Sequence, residues 1–328
     1  MPISLDQIAA QLANATSARF KMVVTVHGQP AQSLTAYYMQ PGRFRQEFPG
    51  GEFNVADWEA GKMMSVDPNS KRVTVFHLVN AAVEDTEKKE QKNQFEMIRD
   101  LLVAAANDPA VKFEELGKRE WDGKQLLGFR ILGRPQPMTV WTDPTTNFPV
   151  RIETTVAGPP KTLLVMDNYE ANVELDPAMF SLEIPEGYQL VETDVDASMP
   201  AENDLVNSLR LCREIYGELP AGLDTAAVAY FIGKSVAKQG VDPDTGPSKE
   251  QMQQILKIGR GFQFAATLLP ESEAHFVPDV DNDAPPDQVL FWYRPAGGQI
   301  YRVIHADFSV TETATAPNIE GAQPLSRQ

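Results

Sequence analysis

The sequence has four histidines and one cysteine, and their spacing fits no common catalytic or metal-binding motif. The histidines are His27, His77, His275 and His305. No two of them lie within one helical turn, so neither His-Glu-x-x-His nor a comparable metal pair is present. Cys212 is the single cysteine, which excludes an internal disulfide, and no histidine stands near it in sequence to activate its thiol. We therefore expect no catalytic residue, no metal site and no cofactor.

An acidic loop, "DVDNDAPPD", is the one other cluster with ligand chemistry. It carries carboxylates at Asp279, Asp281, Asp283 and Asp287. Alternating oxygen ligands are typical of calcium loops. However, Ala284 stands where the turn glycine belongs and Leu290 where the closing glutamate belongs. The pattern favours a solvated acidic turn over a calcium site.

Composition limits the classes of partner. The formal net charge is -16 over 328 residues, which argues against nucleic acid as a ligand. Apolar residues make up 42% and charged residues 23%, as in ordinary globular proteins, and no apolar run is long enough to span a bilayer. We expect no transmembrane segment in this chain and room for two domains.

The first half of the sequence alternates with a period of two between turn residues, which predicts an antiparallel meander. A short amphipathic helix, "SLDQIAAQLANA", precedes it. The segment "QFEMIRDLLVAAAND" interrupts it with apolar residues at helical spacing. About eleven strands are predicted: the segments from "RFKMVVTVHG" to "KRVTVFHL" before the second helix, and those from "VKFEELGKREW" to "KTLLVMDNYEANV" after it.

Beyond an aperiodic acidic stretch, the composition changes to helical spacing. Three helices are predicted, from "LVNSLRLCREIYG", "TAAVAYFIGKSVAKQG" and "KEQMQQILKIGRGFQFAATLLP". The segments "QVLFWYRP" and "QIYRVIHADFSV" around "AGG" predict a terminal hairpin. We place a domain boundary near 196, giving domains at 1–196 and 197–328. The predicted class is α+β: a strongly curved antiparallel half-barrel covered by helices, then a smaller, mainly helical domain with a terminal β-hairpin.

Several motifs in the first half resemble the bacterial lipoprotein-carrier and receptor family, LolA and LolB. "YYMQPGRFRQEFP" is similar to the family's strand, proline-containing kink and aromatic strand, and "NVADWEAGKMMSVDPNSKRVTVF" to the segment after it. "WTDPTTNFPVRIE" and "MDNYEANVELDPAMFSLEIPEGY" resemble the closing strands and tail. The resemblance covers about residues 1 to 190. We recognise no family in the second domain.

The resemblance implies an apolar cavity that receives acyl chains, with the Pro41-Gly42 break bending a long strand around it. The cavity candidates are Tyr37, Met39, Phe44, Phe48, Phe53, Trp58, Met63 and Met64, with Phe95, Met97, Ile98 and Leu102 on the covering helix. The alternative is that these residues fill an ordinary core. The carrier's latch arginine is replaced by Gln40, and we interpret Arg43 and Arg45 as solvated strand charges.

The resemblance therefore implies a non-enzymatic protein of the periplasm or cell envelope that binds a lipid, a lipoprotein acyl chain or another apolar ligand. The alternative is a regulatory or interaction protein, an envelope-stress sensor of the kind that contacts an anti-sigma factor, with a partner bound through residues 197–328. An enzyme of unknown chemistry is the least favoured class, because no catalytic residues are found.

Overall fold

The structure is a computed structural model that describes residues 5–26, 30–80, 94–108, 111–132, 138–156, 162–223, 233 and 246–325. Its backbone contacts form two compact units that divide between Asp196 and Ala197. The first unit contains a large sheet with two helices, and the second a small sheet with two further helices among its described residues.

The large sheet has twelve strands in a curved, unclosed arrangement. The strands are β1 (Ser17–Val26), β2 (Gln32–Met39), β3 (Arg43–Glu47), β4 (Phe53–Asp57), β5 (Lys62–Asp67), β6 (Arg72–Val79), β7 (Lys112–Trp121), β8 (Lys124–Leu132), β9 (Met138–Thr142), β10 (Pro149–Val156), β11 (Thr162–Ala171) and β12 (Gln189–Asp196). Their spatial order is β12-β6-β5-β4-β3-β2-β1-β11-β10-β9-β8-β7. All pairs are antiparallel except β12 with β6. This confirms the predicted α+β class and curved, antiparallel-rich sheet.

Two helices cover one face of this sheet, which we call the helix-covered face. Helix α1 spans Leu5–Ala13, α2 spans Gln94–Asn107, and the two pack against each other. In α2 the buried residues are Phe95, Ile98, Leu102 and Ala105. Spacings of three and four residues place these side chains on one side of the helix, so a single apolar stripe meets the sheet.

The opposite face, which we call the outer face, carries a smaller apolar cluster. It is formed by Val55, Met64, Val66, Val73, Val75 and Phe180. A single 3-10 turn at Pro177–Phe180 covers it. Arg45 fastens this turn, because its Nη1 donates to the Met179 carbonyl at 2.9 Å and its guanidinium lies 3.9 Å from the Phe53 ring centre. Arg45 is thus a packed side chain, 16% exposed, and its interpretation as a solvated charge was wrong.

The Pro41-Gly42 break is a hairpin turn. Strand β2 ends at Met39, β3 begins at Arg43, and these two residues pair directly. Gly42 has φ +62, a left-handed value that glycine adopts without a steric penalty. The expectation of a bend inside one long strand was therefore wrong, since proline and glycine reverse the chain here.

The second unit packs α3 (Glu202–Tyr216) and α4 (Lys249–Thr267) with a five-stranded sheet. Its strands are β13 (His275–Phe276), β14 (Val289–Tyr293), β15 (Tyr301–His305), β16 (Val310–Thr313) and β17 (Gln323–Pro324), in the order β16-β15-β14-β13-β17. The predicted hairpin is present as β14 and β15, and three strands extend it. The helix predicted from "TAAVAYFIGKSVAKQG" lies outside the described residues.

One ionic network joins the start of α3 to the small sheet. Arg302 donates to both carboxylate oxygens of Glu202, at 2.9 Å from Nε and 2.7 Å from Nη2. Tyr293 donates to the same carboxylate at 3.0 Å. Burial and this carboxylate raise the pKa of Tyr293. A bidentate arginine–carboxylate pair fixes orientation as well as charge, so it sets how α3 meets the sheet.

Candidate functional site

The helix-covered face is the candidate binding site, because the larger of the two apolar clusters on the twelve-stranded sheet lies there beneath α1 and α2. The site is the cluster formed by Ile8, Leu12, Ala15, Ala18, Phe20, Met22, Ala36, Tyr38, Phe44, Ala56, Phe95, Ile98, Leu102, Ala105, Phe129, Ile131, Met138, Val140, Ile152, Met166 and Tyr169. Apart from Ala15, which follows α1, these residues come from both helices and from eight strands of the sheet. An apolar guest bound here would lie between α2 and the strands.

Two aromatic stacks organise the centre of the site. The rings of Phe20 and Tyr169 are 4.5 Å apart and inclined by 13°. The rings of Tyr38 and Phe95 are 4.4 Å apart and inclined by 19°, so this second stack joins β2 to α2. Offset aromatic pairs add directional attraction to their burial. The Tyr38–Phe95 stack is accordingly a specific contact between the sheet and its covering helix.

A hydrogen bond accompanies that stack. The Tyr38 hydroxyl donates to Glu96 Oε1 at 3.3 Å. Burial first, and then the Glu96 charge, raise the pKa of Tyr38 to about 12. Burial likewise raises the pKa of Tyr169. Both phenols therefore stay neutral at physiological pH, and the Tyr38–Glu96 bond links α2 to the sheet there.

The twelve cavity candidates divide between the two faces of the sheet. Six lie in or against the helix-covered cluster: Phe44, Trp58, Met63, Phe95, Ile98 and Leu102. Four lie in or against the outer-face cluster: Tyr37, Met39, Phe53 and Met64. Phe48 follows β3, is half-buried and belongs to neither cluster. Met97 lies in α2, and its side chain is outside the described residues.

Sequence reasoning missed the contribution of β1, β2 and the later strands. The structure adds Phe20, Tyr38, Met138, Val140, Ile152, Met166 and Tyr169 to the site. A signal was available in β1, where Phe20 and Met22 alternate with Arg19 and Lys21. Because side chains alternate between the two faces of a strand, Phe20 and Met22 share one face and Arg19 and Lys21 share the other.

The cysteine and the histidines that were considered for catalysis take part in other contacts. Cys212 is fully buried in α3, and this burial raises the pKa of its thiol to about 12. His305 contacts the Asp287 carbonyl at 2.8 Å and Thr311 Oγ1 at 2.7 Å, while His275 stacks on Trp292 at 4.9 Å. His27 lies outside the described residues. Among the residues that are described, no three histidine, cysteine, aspartate or glutamate side chains are grouped to hold a metal ion.

Neither a protein-family model nor a curated protein matches the sequence. Among solved structures, the chain is similar to one of the MucA/MucB complex of Pseudomonas aeruginosa, with 11% identity and a TM-score of 0.34, over 55% of this chain and 59% of the matched chain. It is also similar to a LolA superfamily protein from Nitrosomonas europaea, with 8% identity and a TM-score of 0.24, over 54% of this chain and 95% of that one. For the lipoprotein LppX of Mycobacterium tuberculosis the identity is 10%, the TM-score 0.30 and the coverage 52% and 94%.

These likenesses concern the fold alone. About half of the chain is similar to LolA superfamily and lipoprotein structures. The chain spans about three fifths of the matched chain in the MucA/MucB structure. In the part of the chain that the structure describes, no helix has the length and apolar character that crossing a membrane requires.

Proposed function

We propose that this protein is a non-enzymatic binding protein of the periplasm or cell envelope that holds a lipid or lipoprotein acyl chain against the helix-covered face. The observation that carries the proposal is the contact between α2 and the sheet. Phe95 and Leu102 are fully buried in it, and Ile98 is 6% exposed. A helix held this way covers a continuous apolar surface, which is what an acyl chain needs in order to leave water.

The composition of that surface suits a flexible guest. Met22, Met138 and Met166 lie in it beside the aromatic rings. Methionine is unbranched and adapts its side chain to gaps of different shape. The outer-face cluster has a single buried methionine, Met64, among four buried valines, whose χ1 angles are stiff. The helix-covered face is therefore the better host for chains of varied length.

Binding requires α2 to give up its contacts, which sets a minimum length for the guest. Exposing three large apolar side chains, those of Phe95, Ile98 and Leu102, costs about 5–9 kcal/mol. Each buried methylene of a guest returns about 0.8 kcal/mol. The threshold therefore lies at about 6–11 methylenes: shorter chains cannot replace the helix contacts, and longer ones can.

A titration with fatty acids of increasing length tests the proposal. We expect the full chain to bind palmitate but not hexanoate, with the affinity rising steeply as the acyl chain lengthens from one to the other. Leu102→Ala shortens the covering side chain and should lower the threshold, whereas Leu101→Ala, at a position 39% exposed on the same helix, should leave it unchanged. If palmitate failed to bind, or if both variants behaved alike, the acyl-chain proposal would be wrong.

A second candidate is a protein-binding role for residues 197–328, the regulatory alternative raised by the sequence. One observation favours it. Large apolar side chains stand exposed in this unit at Met199 (71%), Leu269 (53%) and Ile300 (42%). Capture of a protein partner that is lost on replacing these three residues by serine, while palmitate binding persists, would favour this role over the first.

A further inference from the structure

The outer face carries a cleft whose polar and charged lining is not part of the proposed acyl-chain site, although Phe20 and Tyr169 belong to both. Its volume is about 480 Å³. It is lined by Arg19, Phe20, Lys21, Thr35, Tyr37, Lys124, Val150, Asn168, Tyr169 and Glu170. A volume of this size falls in the range of small-molecule sites. Because Arg19, Lys21 and Tyr37 point away from the covering helices, the cleft opens on the side opposite to α2.

An irregularity in the sheet forms the cleft. Arg19 pairs with Glu170 and Lys21 with Asp167, so Phe20 faces two residues of β11. One of these is Asn168, at φ +53. Asparagine tolerates this left-handed conformation better than most residues. A bulge of this kind bends the strand and redirects the neighbouring side chains. The bulge lies within the lining of the cleft, with Arg19 and Lys21 on either side of it.

The charges of the lining are opposite in sign to those of the whole chain. Three cationic side chains, those of Arg19, Lys21 and Lys124, share the cleft with one carboxylate, that of Glu170. The chain as a whole has a formal net charge of -16. A local cationic concavity on an acidic protein attracts anions at short range while the rest of the surface repels them.

All three of these cations have hydrogen-bond donors available to a ligand. Glu170 Oε2 accepts from Arg19 Nη2 at 2.6 Å, which leaves Arg19 Nε and Nη1 without a partner among the described residues. Lys21 and Lys124 are exposed and form no ion pair in the described part of the chain. Asp167, the residue paired with Lys21 across the strands, is engaged instead by Arg151 Nη1 at 2.6 Å.

We propose that this cleft binds a phosphate-bearing ligand. The two lysine ammonium groups and the remaining N–H groups of the Arg19 guanidinium surround a doubly charged phosphate and donate charge-assisted hydrogen bonds to its oxygens. The Thr35 hydroxyl, also in the lining, is a further hydrogen-bond donor. The remaining volume accommodates the group to which the phosphate is attached, which is either a small soluble molecule or a lipid headgroup.

Two probes distinguish a small soluble phosphate compound from a lipid headgroup as the ligand. Glycerol phosphate is added to the full chain at low salt while backbone amide resonances are followed by NMR, with glycerol as the uncharged control. Separately, the protein is mixed with phosphatidylcholine vesicles that contain or lack phosphatidic acid, and flotation is measured. Resonance shifts at Lys21 and Asn168 without flotation indicate a soluble ligand. Flotation that depends on phosphatidic acid, with or without those shifts, indicates a headgroup.

Substitutions in the lining test whether the soluble ligand or the headgroup binds in the cleft. Lys21→Gln with Lys124→Gln should weaken glycerol phosphate, or the vesicle interaction, about tenfold, since each exposed cation contributes a few-fold. Lys62→Gln is the matched control, because Lys62 is an exposed strand lysine outside the lining. Unchanged melting temperatures confirm that all three proteins fold. The proposal is overturned if neither probe binds, or if the double variant and Lys62→Gln behave alike.

Discussion

Tyr37 and Tyr38 are neighbours in β2, and their hydroxyl groups bond to glutamates on opposite faces of the same sheet. Tyr37 donates to Glu47 at 3.1 Å on the outer face. Tyr38 donates to Glu96 at 3.3 Å and so reaches the covering helix. One strand therefore contributes both to the cationic cleft and to the fastening of α2, and the two tyrosines form a natural pair for separating these roles.

The Tyr38→Phe variant should bind palmitate more tightly than the native chain. It keeps the stacked ring but removes the bond to Glu96, so α2 separates at a lower cost. A hydrogen bond of this kind contributes about 1 kcal/mol, which corresponds to about a fivefold gain in affinity. Tyr37→Phe, which leaves α2 untouched, should bind palmitate like the native chain in the same fluorescence titration. Equal affinities for both variants would show that α2 does not move on binding.

The stability of the first unit should fall as the pH rises above 10. The pKa of Tyr38 is about 12 in the folded chain, against the ordinary tyrosine value of 10.0. Between these values the unfolded chain releases the phenolic proton and the folded chain keeps it, so the free energy of unfolding decreases with pH. Below pH 10 the tyrosine is protonated in both states, and this stabilising contribution is complete.

Urea unfolding followed at pH 9, 10 and 11 checks this sign, with Tyr38→Phe as the comparison. The variant lacks the titrating group, so its stability should fall less steeply across the window. If the free energy of unfolding fell equally steeply with pH in the native chain and in the variant, Tyr38 would not titrate as the structure indicates.

Two glycines of α4 should respond in opposite directions to alanine. A Cβ at Gly261 would lie 2.6 Å from the Asp204 carbonyl oxygen of α3, whereas a Cβ at Gly259 would meet nothing within 4 Å. Gly261→Ala must push the helices apart and should destabilise the second unit by about 1–3 kcal/mol. Gly259→Ala should stabilise it by up to about 1 kcal/mol, from helix propensity. Thermal unfolding of the two variants compares them directly, and equal shifts would contradict the close α3–α4 contact.

The two compact units should unfold separately if the domains predicted at 1–196 and 197–328 are independent. Cys212 reports on the second unit, because its thiol is fully buried with a pKa raised to about 12 and should react only when that unit opens. Trp58, Trp121 and Trp141 lie in the first unit, so fluorescence mainly reports on that one. In a urea series we expect different midpoints for thiol labelling and for fluorescence. Coincident midpoints in the native chain and in Gly261→Ala would indicate one cooperative unit.

The sequence predicts the sheet well where one face is apolar and the other polar. Residues of β1 alternate in this way, and the pattern shows which of its side chains face the helices. It fails at β12, where "QLVETDVD" is too polar to stand out from a linker. That strand is mostly exposed and pairs in parallel with β6. It therefore forms because of tertiary contacts, and its own side chains do not predict it.

The candidate site was only half predictable for a similar reason. Met63 and Met64 are equally apolar, yet the first packs towards the helices and the second towards the outer face. The sheet buries apolar clusters on both faces, so the hydrophobicity of a residue does not show which face it occupies. That assignment requires counting the alternation from a residue whose face is already known. The cleft was unpredictable, since it depends on a bulge that pairs distant parts of the sequence.

Photocrosslinking tests the central claim most directly. A palmitate analogue with a diazirine in its acyl chain is bound to the full chain, irradiated and located by mass spectrometry of the peptides. We expect crosslinks within α2, around Phe95 and Leu102, and on the helix-covered side of the sheet, around Met138 and Met166, all displaced by unlabelled palmitate. Crosslinks confined to the outer face, around Met64 and Phe180, or to residues 197–328, would contradict it.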